Sequence, residues 1–153
     1  MNIWYEAKDV KLIIGSDIAG NFDIGFDDEI PEDMRNELRR FVAWAEENFN
    51  FPVTLWVDFE YKHFLRRRDG RAAGYLFHWM DFENYPEFSN PEDIPEIRLP
   101  VRTEKWDLED ILFCFVKGIS YYFAWICNRN MEEYELDEDE AAEILEMYLK
   151  TRE

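Results

Sequence analysis

The chain has 153 residues, of which 47% are hydrophobic and 18% aromatic, and its formal net charge is −18. Such a length supports one domain with a substantial core, because a chain of this size buries about two-thirds of its unfolded surface. The negative charge excludes ordinary nucleic-acid binding and attachment to anionic membrane surfaces, since both require an excess of Lys and Arg.

The first thirty residues predict a hairpin that extends the sheet of the domain. Residues 10–15 and 22–26 each have the composition of a short strand, and Gly20 and Asn21 lie between them in a turn. No positively charged segment followed by an apolar run opens the sequence, so no secretory signal is expected. This start and the two cysteines, Cys114 and Cys127, favour a reducing, cytoplasmic setting.

A helix and a strand are predicted next. Pro31 suits a first helical position, Glu32 and Asp33 suit a first turn, and the helix should end near Asn50. Apolar and polar residues then alternate over 53–61, which is the period of a strand with two different faces. The apolar face of the helix consists of Met34, Leu38, Phe41, Val42, Ala45 and Phe49.

Two further strands are expected in the middle of the chain. Asp69 and Gly70 predict a turn that leads into a strand over 72–79 and gives a hairpin. Four arginines surround this turn. They could bind a carboxylate or a phosphate, and the interpretation we favour is a solubilising patch. The segment 95–101 predicts a short strand at a sheet edge, because prolines occur at both of its ends.

Two helices complete the predicted fold. The first, over 106–127, is apolar on nearly all sides, and the second begins after Asp137. The order of elements predicts an α+β fold, with a small mixed or antiparallel sheet packed against a central helix, an N-terminal hairpin and a C-terminal helix. The apolar face of the final helix consists of Leu136, Ala141, Ile144, Leu145, Tyr148 and Leu149.

Residues 111–128 contain the most informative motif. This helix resembles the active-site helix of zincin-like metallopeptidase domains, in which His-Glu-x-x-His is followed by Tyr-x-Gln-Trp. Tyr122 and Trp125 match the tail of that motif, and Ala124 stands at the Gln position. The resemblance covers residues 31–128. It implies a zincin-like core within a single domain over 1–153, preceded by the hairpin over 1–30 and followed by an acidic helical part over 129–153.

The positions that perform the metal chemistry of such a domain carry other residues here. Lys117 stands at the first His, Gly118 at the general-base Glu and Tyr121 at the second His. A charged Lys has no lone pair, Gly has no side chain, and a neutral phenol is a poor zinc ligand. The resemblance therefore implies no catalytic residue, no metal ligand and no cofactor. It implies a vestigial cleft formed by Lys117, Gly118, Tyr121, Tyr122 and Trp125.

The sequence offers candidates for a third ligand of the zincin-type site and one separate pair of histidines. In gluzincin-type relatives a downstream helix supplies the third ligand as a Glu, and Glu133, Glu140 and Glu143 are the candidates for that position. A solvated acidic face is the simpler interpretation of these residues. His63 and His78, on the two arms of the predicted hairpin, lack a fixed third ligand and make a weak metal signal.

Restoring the motif gives a test of the cleft. The variant with Lys117→His, Gly118→Glu and Tyr121→His is expected to gain zinc affinity, and loss of the helical glycine is expected to favour the helix. The alternative to a vestigial cleft is that residues 112–126 form the central helix of an ordinary core.

A non-catalytic binding or regulatory module is the function that these features favour. The acid surplus suits a basic protein partner, as for an inhibitor or an immunity protein. The alternative is an enzyme or small-ligand binder that uses the cleft around Lys117 and Tyr121 without zinc. The sequence indicates neither the oligomeric state nor the identity of a partner.

Overall fold

The computed structural model describes residues 22–49, 51, 55–67, 69–78, 95–102, 104, 106–126 and 138–152, and this part of the chain contains three helices and six short strands. The helices are α1 (Glu32–Asn48), α2 (Leu108–Ile126) and α3 (Glu138–Lys150). The strands are β1 (Phe22–Phe26), β2 (Leu55–Glu60), β3 (Leu65–Arg66), β4 (Ala72–Ala73), β5 (Leu76–His78) and β6 (Glu96–Pro100). The predicted strand over 10–15 lies outside the described residues.

The main sheet has four strands in the order β1-β2-β6-β5. Strands β1, β2 and β6 are parallel, and β5 runs antiparallel to β6. Strand β1, helix α1 and strand β2 therefore form a βαβ unit, since parallel neighbours need a crossover connection. The predicted α+β fold with a mixed sheet is confirmed.

The core lies between one face of this sheet and all three described helices. The ring centroid of Phe41 on α1 lies 5.1 Å from that of Phe115 on α2 and 5.1 Å from that of Tyr148 on α3. Each helix therefore packs on the same side of the sheet. The buried sheet residues on this side are Leu55, Val57, Phe59, Ile97 and Leu99. We call the opposite side, which carries Asp23, Gly25, Trp56, Asp58, Glu60, Leu76, Glu96 and Arg98, the outer face.

Helix α1 confirms the helix predicted after Pro31. Four residues of its predicted apolar side and Trp44 are buried, and the two others, Met34 and the C-cap Phe49, are partly buried. Arg35 fixes the connection from β1, because its guanidinium donates hydrogen bonds to the carbonyl oxygens of Ile30 at 2.9 Å, Asp28 at 2.9 Å and Asp27 at 3.1 Å. The single side chain thus ties the loop to the first turn of the helix.

Strand β6 is an interior strand, so the prediction of an edge strand over 95–101 is wrong. The prolines are tolerated because they stand at the ends of the strand. The carbonyl oxygen of Pro95 accepts a hydrogen bond from the Trp56 N–H at 2.9 Å, and the N–H of Val101 donates to Glu60 at 2.7 Å. Successive backbone N–H groups of a strand point alternately to its two neighbouring strands. The nitrogen of Pro100 therefore points to the β5 side, at a position that lies before the first residue of β5.

The predicted hairpin is shorter than expected. Strands β3 and β4 pair around the turn at Gly70, whose φ of 88° suits glycine. Strand β5 pairs with β6 instead of β2, because β6 occupies the place beside β2. His63 and His78 therefore do not face each other across a hairpin.

Helices α2 and α3 follow the predicted pattern. Helix α2 begins at Leu108, two residues after the predicted start, where the Asp107 carboxylate accepts a hydrogen bond from the Asp110 N–H at 2.8 Å. Helix α3 buries the predicted Ala141, Ile144, Leu145 and Tyr148 against the core.

Candidate functional site

Gly118 is a point where α2 touches the sheet. A Cβ atom at this position would lie 3.0 Å from Cγ2 and 3.1 Å from Cδ1 of Ile97, a residue with no exposed surface. A longer side chain must displace a fully buried neighbour. Replacing this glycine is expected to favour the helix by intrinsic propensity, and the contact with Ile97 on β6 opposes that gain.

Lys117 bridges α2 and the start of α3. Its ammonium group lies 4.9 Å from the ring centroid of Phe113, one turn earlier on the same helix. It also lies 3.8 Å from the carboxylate of Glu138 on α3. The side chain is 25% exposed, so this is a partly solvated charge with a ring and a carboxylate beside it.

Tyr121 packs beside the segment that precedes β5. Its ring centroid lies 6.1 Å from that of Tyr75. Burial raises the pKa of Tyr75, and the charge and hydrogen bond of Tyr121 add to this rise. Cys114 belongs to the same cluster, because a Cβ atom on Gly74 would lie 2.9 Å from its sulfur atom. Burial also raises the pKa of this thiol.

The remaining predicted site residues lie apart. Tyr122 is fully buried, with its ring centroid 5.5 Å from that of Phe51. Glu143 is exposed on α3. Glu133 and the side chains of Trp125 and Glu140 lie outside the described residues. Among the residues that the structure describes, no three His, Cys, Asp or Glu side chains are grouped to hold a metal.

The outer face of the sheet is a second candidate site, which the sequence analysis missed. Cross-strand partners align in rows on this face. One row joins Asp23, Trp56 and Glu96 and continues to the backbone position of His78 on β5, and the next row joins Gly25, Asp58, Arg98 and Leu76. The alternation over 53–61 was the available signal, but it could not reveal which strands lie beside β2.

Two cationic side chains, those of Arg98 and Lys62, contact the carboxylate of Glu60. The Arg98 guanidinium donates two hydrogen bonds to this carboxylate, at 2.7 and 3.0 Å, and the Lys62 ammonium lies 3.1 Å away. Burial opposes ionisation of Glu60, yet the hydrogen bonds from Arg98 and Lys62 hold its pKa below the ordinary value. The negative charge of Glu60 is thus compensated by Arg98 and Lys62.

Asp58 and Glu96 are much less well compensated. Burial raises the pKa of Glu96 to about 7, and a hydrogen bond with Asp58 and the negative charge of Asp58 contribute to the rise. Gly25 leaves room for this arrangement, because a Cβ atom there would lie 3.0 Å from a carboxylate oxygen of Asp58. A positive charge brought to this pair would favour the ionised form of Glu96.

Trp56 adds an apolar centre to this acidic face. Its side chain is 40% exposed, although large aromatic residues are mostly buried in folded domains. Within the described part of the chain, no helix or strand covers the ring.

Comparison of the chain with protein-family models, with curated proteins and with solved structures found no match. None of the described helices combines the length and the apolar character that crossing a membrane requires.

Proposed function

We propose that this chain is a non-catalytic binding module that receives a basic protein on the outer face of its sheet. The observation that carries the proposal is that, in the described part of the chain, helices cover only one face of a largely parallel sheet. Parallel strands are generally covered on both faces, and all three described helices lie on one. The side that they leave open displays carboxylates around an exposed tryptophan.

Charge selects the class of partner. The chain has 35 acidic and 17 basic residues, so a basic surface is attracted over a distance and meets carboxylates on arrival. Such a module would act by covering a basic surface of its partner, in the manner of an inhibitor or immunity protein.

The contacts of α2 support the non-catalytic part of this proposal. Gly118 lies against Ile97, Lys117 lies beside Glu138, and Tyr121 lies beside Tyr75. These positions bind the elements of the fold together. The small-ligand cleft around Lys117 and Tyr121, like the zincin resemblance itself, stays a prediction. Because Lys117, Gly118 and Tyr121 replace the ligand and base positions, protein purified without chelators should contain no stoichiometric zinc, and elemental analysis tests this expectation.

Calorimetric titration with a twelve-residue peptide of alternating Arg and Lys tests the proposed interface. We compare the natural chain with an outer-face variant, Asp23→Asn, Asp58→Asn, Glu96→Gln. The matched control is a helix-side variant, Glu47→Gln, Glu109→Gln, Glu143→Gln, which removes three exposed carboxylates from α1, α2 and α3.

The natural chain should bind the peptide at physiological salt, the outer-face variant about tenfold more weakly, and the helix-side variant within about twofold of the natural chain. No binding by the natural chain would refute the proposed function. Equal weakening in both variants would show that net charge alone, and not the outer face, accounts for the binding.

A further inference from the structure

Trp56 lies between two acidic side chains on the outer face. Its register partner on β1 is Asp23, and its register partner on β6 is Glu96. Neighbouring strands are about 4.8 Å apart, so both carboxylates can reach a group that stacks on the indole. This row offers an aromatic plane and two acceptors at one place.

Two other aromatic rings of this chain each have an arginine side chain over the ring. Phe64 and Trp56 are both 40% exposed. The guanidinium of Arg66 lies 5.1 Å from the ring centroid of Phe64, and that of Arg39 lies 5.0 Å from the centroid of Phe26. Among the described residues, no cation is seen over Trp56. Arg98, in the next row, is held by Glu60.

We propose that Trp56, with Asp23 and Glu96 on either side, anchors one arginine side chain of the basic partner. This inference rests on the proposed function. A planar guanidinium can stack on the indole and still donate hydrogen bonds at its edges to carboxylates. A lysine ammonium is a compact, strongly hydrated charge that lacks this planar fork, so arginine is preferred.

The size of the face indicates that the anchor belongs to a short segment of the partner. Four strands of about five residues present about 300 Å², whereas a standard interface buries about 800 Å² on each partner. A segment of a few residues fills such a face, and a single central arginine then contributes a large part of the affinity.

Binding of labelled hexa-arginine, hexa-lysine and hexa-citrulline peptides at physiological salt tests the anchor. Citrulline keeps the shape of arginine without its charge. Fluorescence anisotropy gives the affinities for the natural chain, for Trp56→Leu and for the control Phe64→Leu, whose ring already stacks with Arg66. In parallel, the indole N–H resonances of the six tryptophans are followed by NMR, with Trp56 assigned by its loss in Trp56→Phe.

Hexa-arginine should bind the natural chain more tightly than hexa-lysine, and hexa-citrulline should not bind. The Trp56→Leu variant should lose about five- to tenfold in affinity for hexa-arginine and lose the preference over hexa-lysine. Phe64→Leu should change neither the affinity for hexa-arginine nor the preference over hexa-lysine. In the natural chain, the indole resonance of Trp56 should shift more than those of the other tryptophans on binding. The double variant Asp23→Asn, Glu96→Gln gives a second readout with the ring intact, and it should also lose the preference.

Two results would overturn the inference in different ways. If Trp56→Leu keeps both affinity and preference while the outer-face variant still binds more weakly, the anchor fails and the proposed function stands. If hexa-arginine does not bind the natural chain, the proposed function fails as well.

Discussion

Glu96 keeps its proton into the neutral range, and this makes the stability of the fold depend on pH. The folded state raises the pKa from an ordinary value of 4.5 to about 7, by burial first and by Asp58 second. The folded chain therefore binds this proton more tightly than the unfolded chain does. The resulting stabilisation is complete below pH 4.5 and is lost as pH rises through about 7.

Replacing Glu96 with Gln should remove this pH dependence. Relative to the natural chain, Glu96→Gln should gain about 1 kcal/mol of unfolding free energy between pH 4.5 and pH 8, after allowance for solvent screening. Denaturant unfolding at both pH values measures the gain. As a control on the cause, Asp58→Asn should lower the pKa of Glu96 in an NMR titration without restoring it fully, because burial remains. A gain that is the same at both pH values would contradict this account.

Gly118 should resist substitution although it stands inside a helix. Helix propensity alone would make Gly118→Ala favourable by about 1 kcal/mol. The new Cβ atom would press on Ile97, so we expect a net loss of about 1 to 3 kcal/mol in unfolding free energy. The loss of unfolding free energy in Ala43→Gly, on the exposed side of α1, measures the Ala–Gly difference in helix propensity in this chain.

A double-mutant cycle with Ile97→Ala separates the two effects. In that background the crowding atoms are gone, so Gly118→Ala should cost less than in the natural chain, with a coupling energy above about 0.5 kcal/mol. Additive costs would mean that the contact with β6 does not set the preference for glycine.

Tyr148 joins α3 to α1 by its ring. Its centroid lies 5.1 Å from that of Phe41 and 5.4 Å from that of Trp44, and its hydroxyl is buried without a hydrogen-bond partner among the described residues. Tyr148→Phe removes the unsatisfied group and should keep or raise the unfolding free energy by up to about 1 kcal/mol. Tyr148→Ala should cost about 3 to 5 kcal/mol, because it removes the ring. Thermal unfolding of both variants gives the comparison, and a loss of more than 1 kcal/mol in the Phe variant would reveal an important hydroxyl contact.

The helices were predictable because their signals are local. The spacing of Leu38, Phe41, Val42 and Ala45 determines which side of α1 is apolar, and any core would bury that side. In the same way, alternation in β2 separated Val57 from Asp58. Each of these patterns needs only residues within a few positions of one another.

Strand order and the outer face were not predictable, because they depend on partners far apart in the chain. The prolines at the ends of β6 suggest an edge, and only the registers with β2 and β5 show that the strand is interior and that Pro100 lies where no ladder donor is needed. The row that joins Asp23, Trp56 and Glu96 spans more than seventy positions of sequence. Likewise, Gly118 is explained only by the side chain of Ile97 on another element.

At the scale of the whole molecule, the net charge of −18 and the local outer face should affect different rate constants. The field of the whole molecule steers a basic partner over long distances, and salt screens this field within about 10 Å at 0.1 M. Contacts on the outer face act after encounter, so they affect dissociation. Stopped-flow binding of the Arg-Lys peptide at rising ionic strength can separate the two effects.

The two triple variants each replace three acidic residues, and the measurement is made at pH 8, where Glu96 is largely ionised, so both variants lose nearly the same charge. At about 0.01 M salt, where screening extends to about 30 Å, both should slow association by a similar factor. At physiological salt the association rates should converge on that of the natural chain, and only the outer-face variant should dissociate faster, by about tenfold. The helix-side variant should match the natural chain in dissociation at every salt concentration. If instead the helix-side variant dissociates as fast as the outer-face variant, the peptide binds the charge of the molecule as a whole, and the open face of the sheet has no particular role in binding.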